Sequence, residues 1–175
     1  MRQKRRNWIR GVGIALALTA SSVMLAQHVT TNYMPGTDFS KYHTYKWITI
    51  KGGGHPNQIV DAEIKQAIDS QMAAKGFSKT DGNADLAVGY QTAVHQQTQW
   101  TGFGGWGWGG METATSSTID VGTIVVDVYD SGTKQLIWTG RATKTLDPSK
   151  SPEKNQKHLD KAIAKLMKPF PPKGK

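Results

Sequence analysis

The chain has 175 residues, and its 22 basic and 13 acidic side chains give a formal net charge of +9. It contains no cysteine, which excludes disulfide bridges, thiolate nucleophiles and cysteine-ligated metal sites. A chain of this length can bury a substantial hydrophobic core within one domain.

Residues 1–26 have the order of a cleavable bacterial export signal: a basic start, an apolar run and small residues before a polar position. The uncharged run from Gly11 to Ala26 is shorter than the roughly 20 strongly apolar residues of a membrane-spanning helix. We therefore expect cleavage near Ala26 and a mature chain from about Gln27, soluble in the periplasm or outside the cell and not lipidated. Without this segment, 17 basic and 13 acidic side chains remain, and the net charge falls to +4.

Two export routes fit the basic start. The segment Arg5 to Arg10 resembles a twin-arginine motif, although Lys4 stands where Ser or Thr is usual. General secretion explains the same residues, since any basic start serves it. The sequence leaves the route open.

The first half of the mature chain predicts a strand, a helix and a second strand. Residues 27–41 are polar and are expected to form an extended lead-in, and the aromatic and β-branched stretch 42–50 predicts a strand. Asn57 is a good cap for a helix from Gln58 to Lys75, which Gly76 ends. Its apolar stripe consists of Ile64, Ala67, Ile68 and Met72. Alternation from residue 85 to 95 predicts the next strand.

Three glycines, Gly52 to Gly54, precede the predicted helix and are followed by His55 and Pro56. Backbone amides there could hold an anion, but a phosphate loop needs Lys and Ser or Thr after its last glycine. The segment is therefore interpreted as a flexible connection.

The segment from Gln96 to Met111 combines four large aromatic side chains with six glycines, and neither a helical nor a strand period is clear. We interpret it as a loop. Aromatic faces can stack on sugar rings or on apolar side chains of a partner. The candidate binding residues are Trp100, Phe103, Trp106 and Trp108. The alternatives are that these rings pack on the sheet or that the loop is disordered.

The last third predicts a hairpin and a helix. Strands at 119–129 and 135–143 flank the turn 130–133, in which Gly132 suits a positive φ. Ser151 and Pro152 begin a helix that runs to about Lys168. Its apolar stripe is Leu159, Ala162, Ile163, Leu166, Met167 and Phe170, and lysines lie on the other side. Contact of Lys157, Lys161 and Lys165 with an anionic surface is one hypothesis, and a solvated face is the other.

These elements predict an α+β domain over residues 42–173: a mainly antiparallel sheet of four to five strands, with two helices packed on one face. One parallel pair is expected from the first strand–helix–strand unit. Asp127 is expected to face solvent. The predicted core is Ile64, Ile68, Leu86, Val88, Ile124, Val126, Val128, Leu136, Trp138, Ile163 and Leu166.

Several short segments stand in a recognisable order: Tyr42 to Trp47 (YHTYKW), Lys75-Gly76-Phe77, Ala84-Asp85-Leu86, Gly122 to Asp127, Thr133 to Gly140, Lys154-Asn155, Leu159 to Ala162, and Lys168 to Pro172. This ordered set resembles domain-of-unknown-function family 4136, a group of bacterial envelope proteins, many of them predicted lipoproteins, over about residues 29–173. The resemblance implies an envelope location and supplies no catalytic residues. The chain departs from the common form of the family in having no cysteine near position 27.

No catalytic motif is present in the sequence. There is no Gly-x-Ser-x-Gly nucleophile elbow, and none of the five histidines pairs with another metal ligand at helical spacing. We expect no cofactor, no metal and no nucleic-acid partner. The favoured function is a non-enzymatic envelope protein that binds a protein or a glycan through the aromatic loop, or that assembles through an exposed sheet edge. The alternative is a small hydrolase or glycan-processing enzyme whose site is assembled from distant residues.

Overall fold

The computed structural model describes residues 28–102, 114–146 and 149–172, which form one sheet and two helices that share a single hydrophobic core. The strands are β1 (His28–Tyr33), β2 (Thr44–Trp47), β3 (Ser78–Lys79), β4 (Leu86–Gly102), β5 (Ala114–Asp130) and β6 (Leu136–Thr145). The helices are α1 (Gln58–Ala73) and α2 (Pro152–Met167), and a 3-10 turn covers Phe39–Lys41.

The sheet is mixed, with the strand order β1-β6-β5-β4-β2-β3. The α+β class is confirmed, whereas the described residues form six strands and not the expected four to five. The expected parallel pair is present, because β2 pairs in parallel with β4 after the crossover through α1. β2 also pairs in parallel with the two-residue β3, and all other pairs are antiparallel.

The expected lead-in contains a strand of the sheet. β1 pairs with β6 along its whole length, from His28 opposite Thr143 to Tyr33 opposite Trp138. Almost all of its side chains are exposed, so the strand has little apolar alternation to reveal it. The 3-10 turn then places Phe39 in the core.

Both helices begin at the predicted residues. The Asn57 carboxamide oxygen accepts hydrogen bonds from the backbone N–H groups of Ile59 and Val60, both at 3.1 Å. Gly76 has a φ of +87°, and the Phe77 amide donates back to the Met72 carbonyl at 3.1 Å. This is the geometry with which a glycine just beyond a helix satisfies the last carbonyls. The predicted stripe of α1 is buried in full.

The predicted core is confirmed at every position except Leu136, which is 40% exposed. A register shift between Val128 and Tyr129 places Val128 opposite Trp138 and Tyr129 opposite Leu136. Such a bulge changes which residues face the core, and Ile137 is buried next to Trp138. The expectation for Leu136 was therefore wrong by one position.

Asp127 is buried and does not face solvent as expected. It is 7% exposed, and its carboxylate accepts a hydrogen bond from the Thr139 hydroxyl on the neighbouring strand at 2.6 Å. Burial of a carboxylate requires such a partner. The expectation failed because the partner lies on a different strand.

Asp130 organises the β5–β6 turn. Its Oδ1 accepts from the backbone N–H groups of Gly132 and Thr133 at 2.8 and 3.0 Å, and its Oδ2 accepts from the Tyr42 hydroxyl at 2.7 Å. These hydrogen bonds lower the pKa of Asp130; the one from the Thr133 backbone has the largest effect, followed by the one from Tyr42. The positive φ of this turn lies at Lys134, at 63°, and not at Gly132 as expected.

Candidate functional site

β4 and β5 extend beyond the rest of the sheet as a two-stranded ribbon, which we define as residues 96–102 and 114–120. The two strands stay paired from His95 opposite Val121 to Gly102 opposite Ala114, a length of about 24 Å. β6 pairs with β5 only as far as Val121, and one further hydrogen bond joins Leu146 to Asp120. β2 pairs with β4 only over residues 86–88.

The ribbon therefore has open edges on both sides. Among the described residues, no strand pairs with β4 beyond Thr92 or with β5 before Val121 on their outer sides. Its sequence is rich in Gln, Thr and Ser, in contrast to the apolar stretches of β4 and β5 within the sheet. A two-stranded ribbon of mostly polar sequence is marginal in water, and unpaired edges are templates for pairing with another chain.

The aromatic candidates are connected with this ribbon. Trp100 lies within β4, paired in the backbone ladder with Ser116, so the expected loop begins later than residue 96. Phe103, Trp106 and Trp108 belong to segment 103–113, which joins the two strands at the ribbon's far end and lies outside the described residues.

The base of the ribbon is held by the glycine segment, which is a strap and not the flexible connection expected. The Gly54 carbonyl oxygen accepts the Thr92 backbone N–H at 2.9 Å and the Thr92 hydroxyl at 3.2 Å. A Cβ on Gly53 would lie 2.6 Å from the Gln91 side chain. The Gln91 side chain can rotate aside, but a Cβ on Gly54 would lie 2.3 Å from the Thr92 backbone carbonyl oxygen, so the close approach to β4 requires glycine at Gly54.

A shallow cleft of about 260 Å³ lies beside the strap, at the start of α1. Its titratable lining consists of His55, Asp61, Lys65 and Tyr90. The Asp61 carboxylate accepts hydrogen bonds from the Tyr90 hydroxyl and, at 2.9 Å, from the Lys65 ammonium. The pKa of Asp61 is lowered, mainly by the hydrogen bond from Tyr90 and then by the one from Lys65. The pKa of Tyr90 is raised, mainly by burial and then by its hydrogen bond to Asp61. This cleft was not predictable from the sequence, because its residues come from three separate segments.

The lysines proposed to meet an anionic surface lie on the exposed face of α2. Lys157, Lys161 and Lys165 are all exposed, as are Lys154 and Lys168. Beside them, the Lys144 ammonium on β6 contacts Nδ1 of His158. Burial first, and then the charges of Lys150 and Lys161, lower the pKa of Lys144.

Within residues 28–102, 114–146 and 149–172, no three side chains of His, Asp or Glu come together as metal ligands would. Neither described helix has the length and apolar character needed to cross a bilayer.

A family model described as "Domain of unknown function (DUF4136)" matches residues 29–172. The comparison with curated proteins finds no match. Among solved structures, a PDZ domain protein from Parabacteroides distasonis superposes with a TM-score of 0.58 at 13% identity. That match covers 85% of this chain and 37% of the other, so the chain spans little more than a third of that protein.

The second similar structure is described as a PelC dodecamer from Paraburkholderia phytofirmans. It matches with a TM-score of 0.51 and 12% identity, over 82% of this chain and 96% of the PelC chain. Another PelC crystal form gives 0.50 and 13% with the same coverage. At these identities the likeness concerns the fold alone.

Proposed function

The chain belongs to the DUF4136 family, and we propose that it is an exported component of the bacterial cell envelope that acts without catalysis, as a binding or assembly module. The ribbon and the aromatic segment that joins its two strands are the contact region. The family resemblance and the basic, apolar and small-residue order of segment 1–26 support the envelope location.

The observation that carries the proposal is the pair of open edges on the ribbon. A seven-residue extension of each strand past its neighbours leaves backbone N–H and C=O groups that a further strand can pair with. Trp106 and Trp108 lie in the segment between these strands, where flat aromatic faces add contact area for a partner or a sugar ring. Strand pairing and aromatic contact together provide the basis for binding.

The similar fold of PelC supports assembly as one form of this function. That protein is described as a dodecamer, and the match covers nearly all of its chain. The present chain offers open ribbon edges through which copies, or a copy and a second envelope protein, can join.

The enzymatic alternative has less support from the cleft beside the strap. A general acid or base works best with a pKa near the operating pH. In the cleft, the pKa of Asp61 is shifted down and that of Tyr90 up, so both move away from neutrality. The hydrogen bond between these two side chains has a structural role, because it links α1 to β4.

The proposal is tested by replacing Trp106 and Trp108 together by Ala. The matched control replaces Ile59 and Leu136 by Ala, two exposed apolar side chains outside the ribbon that are 72% and 40% exposed. Glycan arrays, cross-linking in envelope extract and sedimentation velocity measure capture and self-association. We expect the tryptophan variant to lose capture or association at an unchanged melting temperature, and the control to keep both.

Two results would contradict the proposal. Full capture and association by the tryptophan variant would remove these rings from the function. Unfolding of that variant would show that the rings are packing residues of the sheet.

A further inference from the structure

The net positive charge of the described residues is concentrated in one element. Residues 28–102 contain six basic and six acidic side chains, and residues 114–146 contain three of each. Residues 149–172 contain six lysines against two acidic residues. The rest of the described domain is therefore balanced, and its surplus of four positive charges belongs to α2 and the residues next to it.

Five of these lysines form a narrow line, which we call the lysine stripe: Lys154, Lys157, Lys161, Lys165 and Lys168. At about 100° per residue they fall within an arc of about 80°, and at about 1.5 Å per residue they extend over about 21 Å. All five side chains are exposed.

The stripe points away from the core. The buried residues of α2, Ala162, Ile163, Leu166 and Met167, are centred about 170° around the helix from the stripe. Because the apolar face is already packed on the sheet and on α1, α2 can lie flat on a charged surface without leaving the fold. The contact would be electrostatic, without insertion of the helix.

Neighbouring cations widen this surface. Lys144 reaches the helix from β6 and touches His158, which lies at the border of the stripe. The charges of Lys150 and Lys161 act on Lys144 strongly enough to lower its pKa, after the larger effect of burial. The positive potential therefore continues from α2 onto the end of the sheet.

We propose that the lysine stripe docks the protein on a membrane surface that carries anionic phospholipid headgroups. Clusters of four to eight basic residues on one helix are a recognised signal for binding to anionic lipid. The choice of lipid over nucleic acid follows from the residue type, because residues 149–172 contain lysine and no arginine. The lysine ammonium is a point charge that can interact with phosphates in any arrangement, as on a lipid surface. The bidentate arginine guanidinium is more common in specific contacts with nucleic acid.

The experiment measures cosedimentation of residues 27–175 with vesicles. This part contains every described element and the whole segment matched by the family model, and it avoids the basic residues of segment 1–26. The vesicles contain about 30% phosphatidylglycerol in phosphatidylcholine, with pure phosphatidylcholine as the neutral reference. A short DNA duplex is the competing polyanion.

The stripe variant is Lys154→Gln, Lys157→Gln and Lys161→Gln. The matched control, Lys46→Gln, Lys51→Gln and Lys75→Gln, removes the same charge from β2, from the residue before the strap and from the segment that follows α1. At low salt we expect the stripe variant to bind anionic vesicles about 100-fold more weakly than wild type, and the control less than about 5-fold. Wild-type binding is expected to disappear at about 0.5 M salt and on neutral vesicles.

The proposal is overturned if wild type does not bind anionic vesicles, or if both variants lose affinity equally, since net charge and not the stripe would then be responsible. It is also overturned if the stripe variant loses DNA binding while its vesicle binding is unchanged. Circular dichroism of both variants checks that α2 stays folded. None of these results involves the ribbon, so the proposed function is tested separately.

Discussion

Gly54 contacts the backbone of Thr92 so closely that no side chain fits between them. A Cβ at Gly54 would lie 2.3 Å from the Thr92 carbonyl oxygen, while the Gly54 carbonyl accepts the Thr92 amide at 2.9 Å. The atom in the way belongs to the backbone of β4 and cannot rotate aside. This contact joins the strap to β4 just before the ribbon begins.

Replacement of Gly54 by Ala is expected to destabilise the domain by about 1–3 kcal/mol, because either the strap or β4 must move. Chemical denaturation measures the change. The control is Gly82→Ala, where the new Cβ would meet its nearest neighbour, the Thr80 hydroxyl, at an ordinary 3.8 Å. Equal stability of the two variants would show that the strap yields without cost.

Replacement of Ile163 by Ala is expected to cost about 2–5 kcal/mol, since it leaves a cavity where α2 meets the sheet. Ile163 is fully buried, in the same cluster as Trp138 and Leu166. Ile59→Ala removes the same atoms from a side chain that is 72% exposed, and its denaturation midpoint should stay near that of wild type. A similar midpoint for Ile163→Ala would contradict the packing of α2.

Asp85 is expected to contribute to acid sensitivity. One carboxylate oxygen accepts hydrogen bonds from the backbone N–H groups of His43 and Thr44 and from the Thr44 hydroxyl, each at 2.9 Å. These hydrogen bonds lower the pKa of Asp85, and the one from His43 has the largest effect. A carboxylate whose folded pKa is depressed adds stability above its unfolded value, about 3.9, and loses it as the pH falls through the folded pKa.

Asp85→Asn should therefore lower stability near neutral pH and flatten the decline of the unfolding free energy below about pH 4. Urea denaturation across this range measures both effects. Asp81→Asn, which removes another exposed carboxylate four positions earlier, is the control. An unchanged acid slope in Asp85→Asn would show that this clamp does not couple to pH.

The export prediction is checked by intact-mass analysis of the protein from a native envelope fraction. We expect a chain that begins at or near Gln27 and carries no acyl group, because the basic start and the short apolar run are those of a cleavable signal. A mass that includes residues 1–26, or an added acyl mass, would contradict this expectation.

The helices were predictable from the sequence because the residues that define each helix lie close together in the chain. The stripe of α1 and its Asn57 cap lie within one continuous segment, and the structure buries or bonds them as expected. The same holds for the start of α2 at Pro152, although Ser151 makes no side-chain cap hydrogen bond to the helix backbone.

The errors concern information that another strand supplies. Leu136 changed faces because Ile137 is an extra residue of β6 that has no counterpart in β5, and Asp127 is buried because Thr139 lies opposite. Strand β1 carries almost no apolar alternation and is defined by its pairing with β6. A single sequence contains no signal for such pairings across the chain.

The candidate site was predictable in part for the same reason. The tryptophans of segment 96–111 stand out by composition alone. The ribbon does not stand out in the sequence, since its polar strands have no apolar period. It is defined by the backbone pairing of the two strands, such as that of Trp100 with Ser116. The strap was mistaken for a linker because the glycine requirement comes from Thr92, which lies in another segment.

The pairing of β1 with β6 also sets an order for folding. Val29 lies opposite Ala142, so the first strand of the sheet has its partner almost a full domain length further along the chain. A chain that emerges with its N-terminus first must leave β1 unpaired until β6 has followed. Closing so large a loop costs more conformational entropy than pairing β4 with β5 or β5 with β6, so we expect β1 to join the sheet after them.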